Sequence, residues 1–362
     1  METLVIKAKS KTYPIYLGED ILDQVSTLLP GNSSAFFIVT DDTLAPLYLD
    51  QVEQSFQKLA PVYSGIVSSG EQSKSFNVYK ELLDQLLELN LDRKACVIAL
   101  GGGVIGDLAG FVAATYLRGV GFIQMPTTLL AHDSSVGGKV GINHEKGKNL
   151  IGAFYHPDVV IYETRFLSSL PDREWQSGFS ELIKHSFLES ERFFHELKQA
   201  IPTFEQLNSE TVTPFLQRGI RVKAVIVEED EQEQGKRAYL NFGHTLGHAL
   251  EKEAGYGTLT HGEGVAIGMC FALQVSERVL NVRLPKEELV DWLKALGLPT
   301  TVPENISTKD LVDRMKRDKK RKGEAIRFVL LHKLGEPALV EIPEEVIIKE
   351  LERFRDESQT NR

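Results

Sequence analysis

This sequence has few cysteines, no long apolar run and no excess of positive charge. Its two cysteines, Cys96 and Cys270, both stand among apolar neighbours, so we expect buried, reduced thiols and neither a disulfide framework nor a cysteine metal site. No run of about 18 apolar residues occurs, and the N-terminal stretch METLVIKAKSKTYPIYLGED lacks the hydrophobic region of a signal peptide. These absences predict a cytoplasmic protein with no membrane partner.

Net charge excludes a second class of partner. The chain has 41 Lys and Arg against 51 Asp and Glu, a net charge of −10. Binding a nucleic-acid backbone requires a positive face, so we expect no nucleic-acid partner. An anionic small molecule would instead need a local group of basic side chains. Apolar content of 42% with 25% charged residues is ordinary for a folded globular protein.

The length of 362 residues favours two domains, because single hydrophobic cores stop growing at about 250–300 residues. In the first half, short apolar runs alternate with longer amphipathic ones, which predicts an α/β domain with a Rossmann-like, largely parallel sheet. The second half is predicted to be mainly α-helical. We place the boundary near Leu170-Pro171, which gives domains 1–171 and 172–362, and expect the active site in the cleft between them.

Individual elements follow from the same periodicities. Buried strands are predicted at residues 35–40, 95–100 and 122–125, with a crossover helix at 76–89. Later helices are predicted at residues 174–195, 212–229, 240–253, 264–279 and 285–296, and short strands at 327–331 and 338–342. The polar tail from Asp356 is expected to fray.

A glycine loop follows the strand predicted at 95–100. The segment GGGVIGD at 101–107 contains G-x-G-x-x-G at Gly101, Gly103 and Gly106 and leads into an apolar helix. In this context backbone N–H groups and the positive helix end can cradle a pyrophosphate. The ribose-binding acid expected about 20 residues later is absent, so a dinucleotide site here would have a non-standard layout. The structural alternative is a tight turn that needs glycine for positive φ.

A second candidate anion site lies around residues 126–152. Pro126-Thr127-Thr128 offers hydroxyl groups, and Lys139 follows a double glycine. Both Lys139 and Lys148 stand in a stretch rich in glycine and asparagine, which does not resemble the polar face of a helix. They are candidates for an anionic ligand, and the alternative is that they are solvated surface charges.

The histidines provide the strongest chemical signal. NFGHTLGHALE at 241–251 places His244 and His248 four residues apart on one helix face, His261 follows in THGEG, and Glu181 lies in SELIKH. Two or three histidines with a carboxylate are typical of a catalytic zinc site with an open position. The alternative is histidines satisfied within the core. The helix lacks the glutamate of H-E-x-x-H, which disfavours a metalloprotease.

Further basic residues stand alone in the second half. Lys184 follows Glu181 by one helical turn and would project from the same face, while Lys223 and Arg237 are isolated cations in apolar or mixed segments. The basic run 314–322 is interpreted most simply as a solvated loop, with Lys319 or Lys320 as a candidate for contacting a phosphate.

Together these segments resemble the 3-dehydroquinate synthase family across essentially the whole chain. The matching segments are SGEQSK (69–74), GGGVIGDLAGF (101–111), TTLLAHDSSVGGKVGIN (127–143), GKNLIGAF (147–154), SELIKH (180–185) and NFGHTLGHALE (241–251). No single segment is decisive, but all of them in this order are highly specific. The one visible departure is AHD at 131–133, a residue shorter than the family's commoner AQVD.

The resemblance implies NAD and one divalent metal ion, zinc or cobalt, as cofactors. Asp41 and Glu71 would supply the acid missing after the glycine loop. The implied NAD contacts are Asp41, Glu71, Lys74, Gly102, Gly103, Asp107, Thr127, Thr128, Lys148 and Ser169. The implied metal ligands are Glu181, His244 and His261, which leaves His248 for the substrate.

The implied substrate is a sugar-acid phosphate. Its groups would be bound by Asp133, Lys139, Asn149, Lys184, Lys223, Arg237, Asn241 and His248. Arg118 would reach the site from a partner subunit, which implies a homodimer.

The family's reaction turns 3-deoxy-D-arabino-heptulosonate 7-phosphate into 3-dehydroquinate and phosphate, on the shikimate pathway to aromatic amino acids. NAD transiently oxidises the C5 carbinol, phosphate leaves by β-elimination, the hydride returns, and an intramolecular aldol reaction closes the ring. The implied class is a carbon–oxygen lyase acting on phosphates. The alternatives are another sugar-phosphate cyclase, a metal-dependent polyol dehydrogenase that releases NADH, and a non-catalytic sugar-phosphate binding protein.

Overall fold

A computed structural model describes residues 1–255, 257–318 and 325–360, and these fall into two compact units. The first unit comprises Met1–Leu170 and Leu216–Gln232, and the second comprises Pro171–Phe215 and Glu233–Arg362. Residues 216–232 therefore group with the first unit, whereas the predicted division at 171/172 places them in the second domain. Among the described residues, no helix has both the length and the apolar character that a membrane crossing requires.

The first unit is built on a seven-stranded sheet with strand order β1-β2-β9-β6-β5-β3-β4. The β1–β2 pair is antiparallel and the other neighbouring pairs are parallel, so the predicted largely parallel sheet is confirmed. Its strands are β1 (Glu2–Lys7), β2 (Thr12–Gly18), β3 (Phe36–Asp41), β4 (Val62–Val67), β5 (Cys96–Gly101), β6 (Gly121–Pro126) and β9 (Val159–Glu163).

Helices cover both faces of this sheet, which is why its central strands are continuously apolar. Successive residues of a strand point to opposite faces, so Phe36 and Ile98 join one buried cluster while Phe37 and Val97 join the other. The helices of this part of the chain are α1 (Val25–Leu28), α2 (Asp50–Gln57), α3 (Phe76–Glu88), α4 (Gly103–Thr115) and α5 (Ala131–Ser134).

A separate antiparallel hairpin was not predicted from the sequence. Strand β7 (Lys139–His144) pairs with β8 (Gly147–Phe154). Gly141 and Gly152 face each other across the pair, where a Cβ atom on either would lie within 2.4 Å of a backbone oxygen of the partner strand. Glycine is required at this crossing by close backbone approach, and this glycine content hides the alternating pattern that identifies a strand.

The second unit is mainly helical, as predicted, with one small antiparallel sheet of two strands. The elements that complete the chain are α6 (Asp172–Glu189), α7 (Glu191–Ala200), α8 (Ser209–Glu229), α9 (His244–Ala254), α10 (His261–Leu280), α11 (Lys286–Ala295), α12 (Thr308–Asp318), β10 (Ala325–Lys333), β11 (Glu336–Pro343) and α13 (Glu344–Thr360). Helix α8 crosses the boundary, since its residues from Leu216 onward group with the first unit.

Two expectations for this part of the chain were wrong. The single helix predicted at 174–195 is broken at Ser190, which is extended and whose hydroxyl accepts a hydrogen bond from Phe193 N at 3.2 Å, so that it caps α7. The basic run from Arg314 begins inside α12, where Arg314 Nε lies 2.6 Å from Glu253 Oε1, and is not a loop there. Lys319 and Lys320 lie outside the described residues.

Candidate active site

The glycine loop lies where β5 ends and α4 begins, as the sequence predicted. Gly102 has a φ of −74°, so positive φ is not the reason for glycine at this position. Space is the reason, because a Cβ atom would lie 2.6 Å from the Ile105 side chain at Gly101 and 2.8 Å from Thr128 at Gly102. The loop thus brings bare backbone to the N-terminus of a helix, an arrangement that suits a pyrophosphate.

Several buried polar side chains of the first unit have no hydrogen-bond partner within the protein. Among the described residues, Thr40 Oγ1, Gln124 Oε1, Thr127 Oγ1 and Ser135 Oγ are buried without a hydrogen-bond partner. Thr40 and Thr127 stand at the carboxyl ends of β3 and β6, the edge where ligands of open parallel sheets bind. These orphaned atoms, together with the crowded glycines, fit a dinucleotide bound in the first unit.

A charged network lies beside the loop. Lys74 is buried, and its ammonium donates to Asp107 Oδ2 at 2.7 Å and to Asn149 Oδ1. Asn143, which the sequence analysis missed, donates from Nδ2 to Glu71 Oε1 at 2.7 Å. Burial raises the pKa of Asp107, although the ammonium of Lys74 opposes that change. The structure therefore brings together Glu71, Lys74 and Asp107, three of the implied NAD contacts.

The remaining implied NAD contacts are more scattered. Asp41 ends β3, and its Oδ1 accepts hydrogen bonds from Thr43 N and Leu44 N, both at 3.0 Å. Thr128 Oγ1 accepts from Ala131 N at 3.2 Å. Lys148 lies on β8, and Ser169 is exposed at the end of a short helical turn, with its hydroxyl donating to Phe166 O.

Asp133 and Lys223 form a pair within the first unit. Lys223 Nζ donates to Asp133 Oδ2 at 2.8 Å and also to Asp133 O. Lys223 is carried by α8, whose residues Ile220, Ala224 and Val227 pack into a buried apolar cluster. That packing places the ammonium of Lys223 against the carboxylate of Asp133 on α5.

The implied metal ligands converge within the second unit. Glu181 Oε1 lies 2.7 Å from His261 Nε2 and 3.3 Å from His244 Nε2. One donor atom from each of the three residues lies within 4.8 Å of the others. The carboxylate comes from the middle of α6, and the histidines come from the first positions of α9 and α10. This donor set of two imidazoles and one carboxylate fits a divalent metal with an open position.

The electrostatics of this cluster prepare it for a cation. Burial alone would raise the pKa of Glu181, but Lys184 Nζ at 2.6 Å and His244 hold that pKa well below its usual range. Burial lowers the pKa of His244 to about 4. Burial also opposes the charged form of His261, yet hydrogen bonds to Glu181 and Glu251 raise its pKa to about 10.

Glu251 is a site residue that the sequence analysis missed. Its Oε2 lies 3.5 Å from His261 Nδ1, on the side opposite Glu181. With His248 and His261 it forms a second group of donor atoms within 4.8 Å. The signal was present in the sequence, since His244, His248 and Glu251 are spaced at i, i+4 and i+7 on one face of α9.

The other predicted substrate residues lie in several places. Arg237 is 2% exposed in the helical turn Lys236–Asn241, and Asn241 Nδ2 at the end of that turn donates to Glu233 Oε1 at 3.3 Å. Lys139 is exposed at the start of β7. Arg118 is exposed in a turn, with a φ of 68°.

Comparison with known sequences gives a consistent result over the whole chain. The profile of the 3-dehydroquinate synthase N-terminal domain matches residues 64–177, and that of the C-terminal domain matches residues 178–321. A 3-dehydroquinate synthase of Halalkalibacterium halodurans is 49% identical over 361 residues, covering 99% of this chain and 100% of the relative. One from Geobacillus kaustophilus is 49% identical over 354 residues, covering 96% of this chain and 97% of the relative.

Comparison with solved structures extends the likeness to a complex with ligands. A crystal structure of 2-deoxy-scyllo-inosose synthase with carbaglucose-6-phosphate, NAD+ and Co2+ superposes with a TM-score of 0.89 at 26% identity. The match covers 98% of this chain and all of that one. The glycine loop, the convergent glutamate and histidines, and the near-complete matches to curated sequences agree: this chain belongs to the 3-dehydroquinate synthase family.

Proposed function

We propose that this protein converts 3-deoxy-D-arabino-heptulosonate 7-phosphate into 3-dehydroquinate and phosphate, with NAD used catalytically and one divalent metal ion bound. The observation that carries the proposal is the convergence of Glu181, His244 and His261 beside the buried ammonium of Lys184. This cluster occurs in a chain that matches 3-dehydroquinate synthases over almost its full length. The residues thus supply a metal site together with cations for an anionic substrate.

The cofactors are assigned by fit and by likeness. The bare backbone at Gly102 and Gly103 and the orphaned hydroxyl of Thr127 suit NAD, and the related inosose synthase was crystallised with NAD+ and Co2+. When bound, these groups would supply a hydride acceptor and a Lewis acid that polarises a substrate oxygen. Zinc and cobalt are both compatible with two imidazoles and a carboxylate.

The protein's own side chains would orient the substrate and stabilise its charges. Lys184 keeps Glu181 ionised, so that the carboxylate can act as a metal ligand. Lys223 fixes the position of Asp133, which we assign to a substrate hydroxyl. The guanidinium of Arg237 is buried, and its planar fork matches a carboxylate. We therefore assign Arg237, together with Lys223, to the substrate carboxylate.

The remaining assignments concern the phosphate, the subunits and the compartment. Lys139, Asn149, Asn241 and His248 would complete the set of substrate contacts. Arg118 would act from the partner subunit of a homodimer, and its exposed position in a strained turn supports that role. Cys96 and Cys270 are buried free thiols, which supports a reducing, cytoplasmic location.

One alternative function has a specific observation in its favour. The likeness to 2-deoxy-scyllo-inosose synthase at 26% identity covers nearly the whole chain, so another sugar-phosphate cyclase remains a second candidate. Such an enzyme would keep the residues for NAD and metal and would change those facing the substrate. The buried Arg237 favours a substrate with a carboxylate. A hexose phosphate carries no carboxylate and could offer a guanidinium only its phosphate.

Turnover with NAD at less than stoichiometric amounts tests the proposal. The protein should release phosphate from the heptulosonate phosphate over many turnovers and should leave a hexose phosphate, which has no carboxylate, untouched. Phosphate release from the hexose phosphate alone would assign the chain to the alternative cyclase. In a separate assay with excess NAD, steady growth of NADH absorbance with glycerol would assign it to the polyol dehydrogenases.

A further inference from the structure

Helix α6 contacts the first turn of α10 through three residues spaced four apart. Arg173 pairs with Glu263, Ser177 contacts Gly262, and Glu181 contacts His261. Residues at i, i+4 and i+8 form one stripe along a helix, so successive turns of α6 hold successive residues at the start of α10. We call these three pairs the α6–α10 contact series. Both residues of the third pair, Glu181 and His261, are candidate metal ligands.

The first pair is a two-pronged ion pair. Arg173 Nη2 lies 2.7 Å from Glu263 Oε2, and its Nε lies 3.2 Å from Oε1. The same guanidinium donates to Thr258 O at 2.5 Å and reaches Gly257 O at 3.4 Å. Arg173 therefore ties the start of α6 both to the first turn of α10 and to the chain just before it.

Glu263 also caps α10. Its Oε2 accepts a hydrogen bond from Thr260 N at 2.6 Å, while Thr260 Oγ1 accepts one from Glu263 N at 3.2 Å, which completes a capping box. His261 is the first residue of the helix and lies inside this box. Because helix ends fray readily, His261 needs such restraint to keep its imidazole at a fixed distance from Glu181.

The second pair fixes the separation of the two helices. Gly262 N donates to Ser177 Oγ at 3.0 Å. A Cβ atom on Gly262 would lie 2.1 Å from Ser177 O, so no larger residue fits at this contact. With the first two pairs formed, the backbone of His261 has a set position and distance relative to α6, the helix that supplies Glu181.

We infer that Arg173 and Ser177 are positioning residues for the metal site, acting through Glu263 and Gly262 on the orientation of His261. The inference rests on the proposed metal site. Groups that hydrogen-bond directly to a metal ligand typically change metal affinity by about 10–100-fold when removed, and Arg173 acts one contact further out, through Glu263. Arg173 contacts no metal donor atom itself, so its loss should leave the donor set complete but poorly aligned.

The test uses the full-length protein loaded with Co2+ and follows cobalt loss to a chelator, with no substrate present. Arg173→Ala should lose cobalt faster than the parent protein, by up to about tenfold, the lower end of the range for groups bonded directly to a ligand. Glu263→Gln should behave similarly, because glutamine preserves the capping box but not the ion pair. Arg173→Lys, which can keep one prong only, should be intermediate. NAD affinity should stay at the parent value in all three variants.

Arg192→Ala is the matched control, since this exposed arginine of the same unit also pairs with a glutamate, Glu196, at 2.7 Å. It should retain cobalt like the parent. Cobalt loss at the parent rate in both Arg173→Ala and Glu263→Gln would overturn the inference, and so would equal acceleration in Arg192→Ala. Retention of cobalt by His261→Ala would instead refute the metal site itself, which separates the two failures.

Discussion

The candidate ligand sites of the two units are built in opposite ways. In the first unit, the site at Gly101–Gly103 consists of bare backbone and nearby hydroxyl groups, and it has no space for a larger side chain at Gly101 or Gly102. In the second unit, the cluster around Glu181 consists of charged side chains buried on helices. Ligand binding at the first site should therefore be most sensitive to substitutions that add atoms, and ligand binding at the second to substitutions that remove a charge or a donor atom.

Replacing His261 with alanine should have the largest effect. It removes one of three converging donors and leaves Glu181 paired with Lys184, so we expect loss of the metal and of all turnover. Metal content and phosphate release measure the effect, while NAD affinity should not change. His195→Ala, at an exposed histidine of α7, is the control. Stoichiometric metal in His261→Ala would remove this residue from the site.

Replacing Arg237 with lysine should have the next largest effect. Lysine keeps the charge but not the planar fork, so substrate binding should weaken by about 1.5–3 kcal/mol, the range for hydrogen bonds to charged groups. Substrate affinity, measured by calorimetry with the metal bound, should fall while metal content holds. Arg353→Lys, at an exposed arginine paired with Glu357, controls for the substitution itself. Unchanged affinity and turnover would end the carboxylate assignment.

A single added methyl group should damage the first unit's site. In Gly102→Ala the new Cβ would lie 2.8 Å from Thr128, and overpacking of this kind costs about 1–3 kcal/mol. We expect NAD affinity about tenfold lower, with metal content unchanged. Gly31→Ala is the matched control, because nothing lies within 4 Å of its added Cβ. NAD binding at the parent affinity would show that the ligand does not approach this backbone.

The two buried cysteines should report on the units separately, with the smallest effect. Burial raises the pKa of Cys96 and raises that of Cys270 to about 12, so mild alkali should not make the native thiols reactive. A thiol reagent can then label either cysteine only when the structure around that cysteine opens. NAD at about four times its Kd should slow labelling of Cys96 about fivefold, and metal should slow that of Cys270. Equal slowing of both by NAD would contradict independent sites.

Much of both sites could be predicted from local sequence. The glycine loop after a buried strand and the histidines four apart are short-range signals, and each arises within one element or one turn. The glycine loop lies where the sequence predicted it, but its glycines are required by space and not by positive φ. The parallel sheet followed in the same way from apolar runs that alternate with amphipathic ones.

What escaped prediction depends on contacts between distant residues. The hairpin of β7 and β8 is glycine-rich because two backbones meet, which no periodicity reveals. The pairing of Arg173 with Glu263 joins residues 90 positions apart. The break at Ser190 is local, but only the hydrogen bond from Phe193 N to the Ser190 hydroxyl shows that Ser190 caps α7.

The stoichiometry of a single turnover tests the central claim most directly. The metal-loaded protein with bound NAD is mixed with less than one equivalent of the heptulosonate phosphate, and phosphate and NADH absorbance are followed together. The account predicts one phosphate released per substrate, with an NADH signal that is transient or absent, because the hydride returns before the product leaves. NADH that accumulates in proportion to substrate consumed, with no phosphate freed, would contradict it and establish a dehydrogenase.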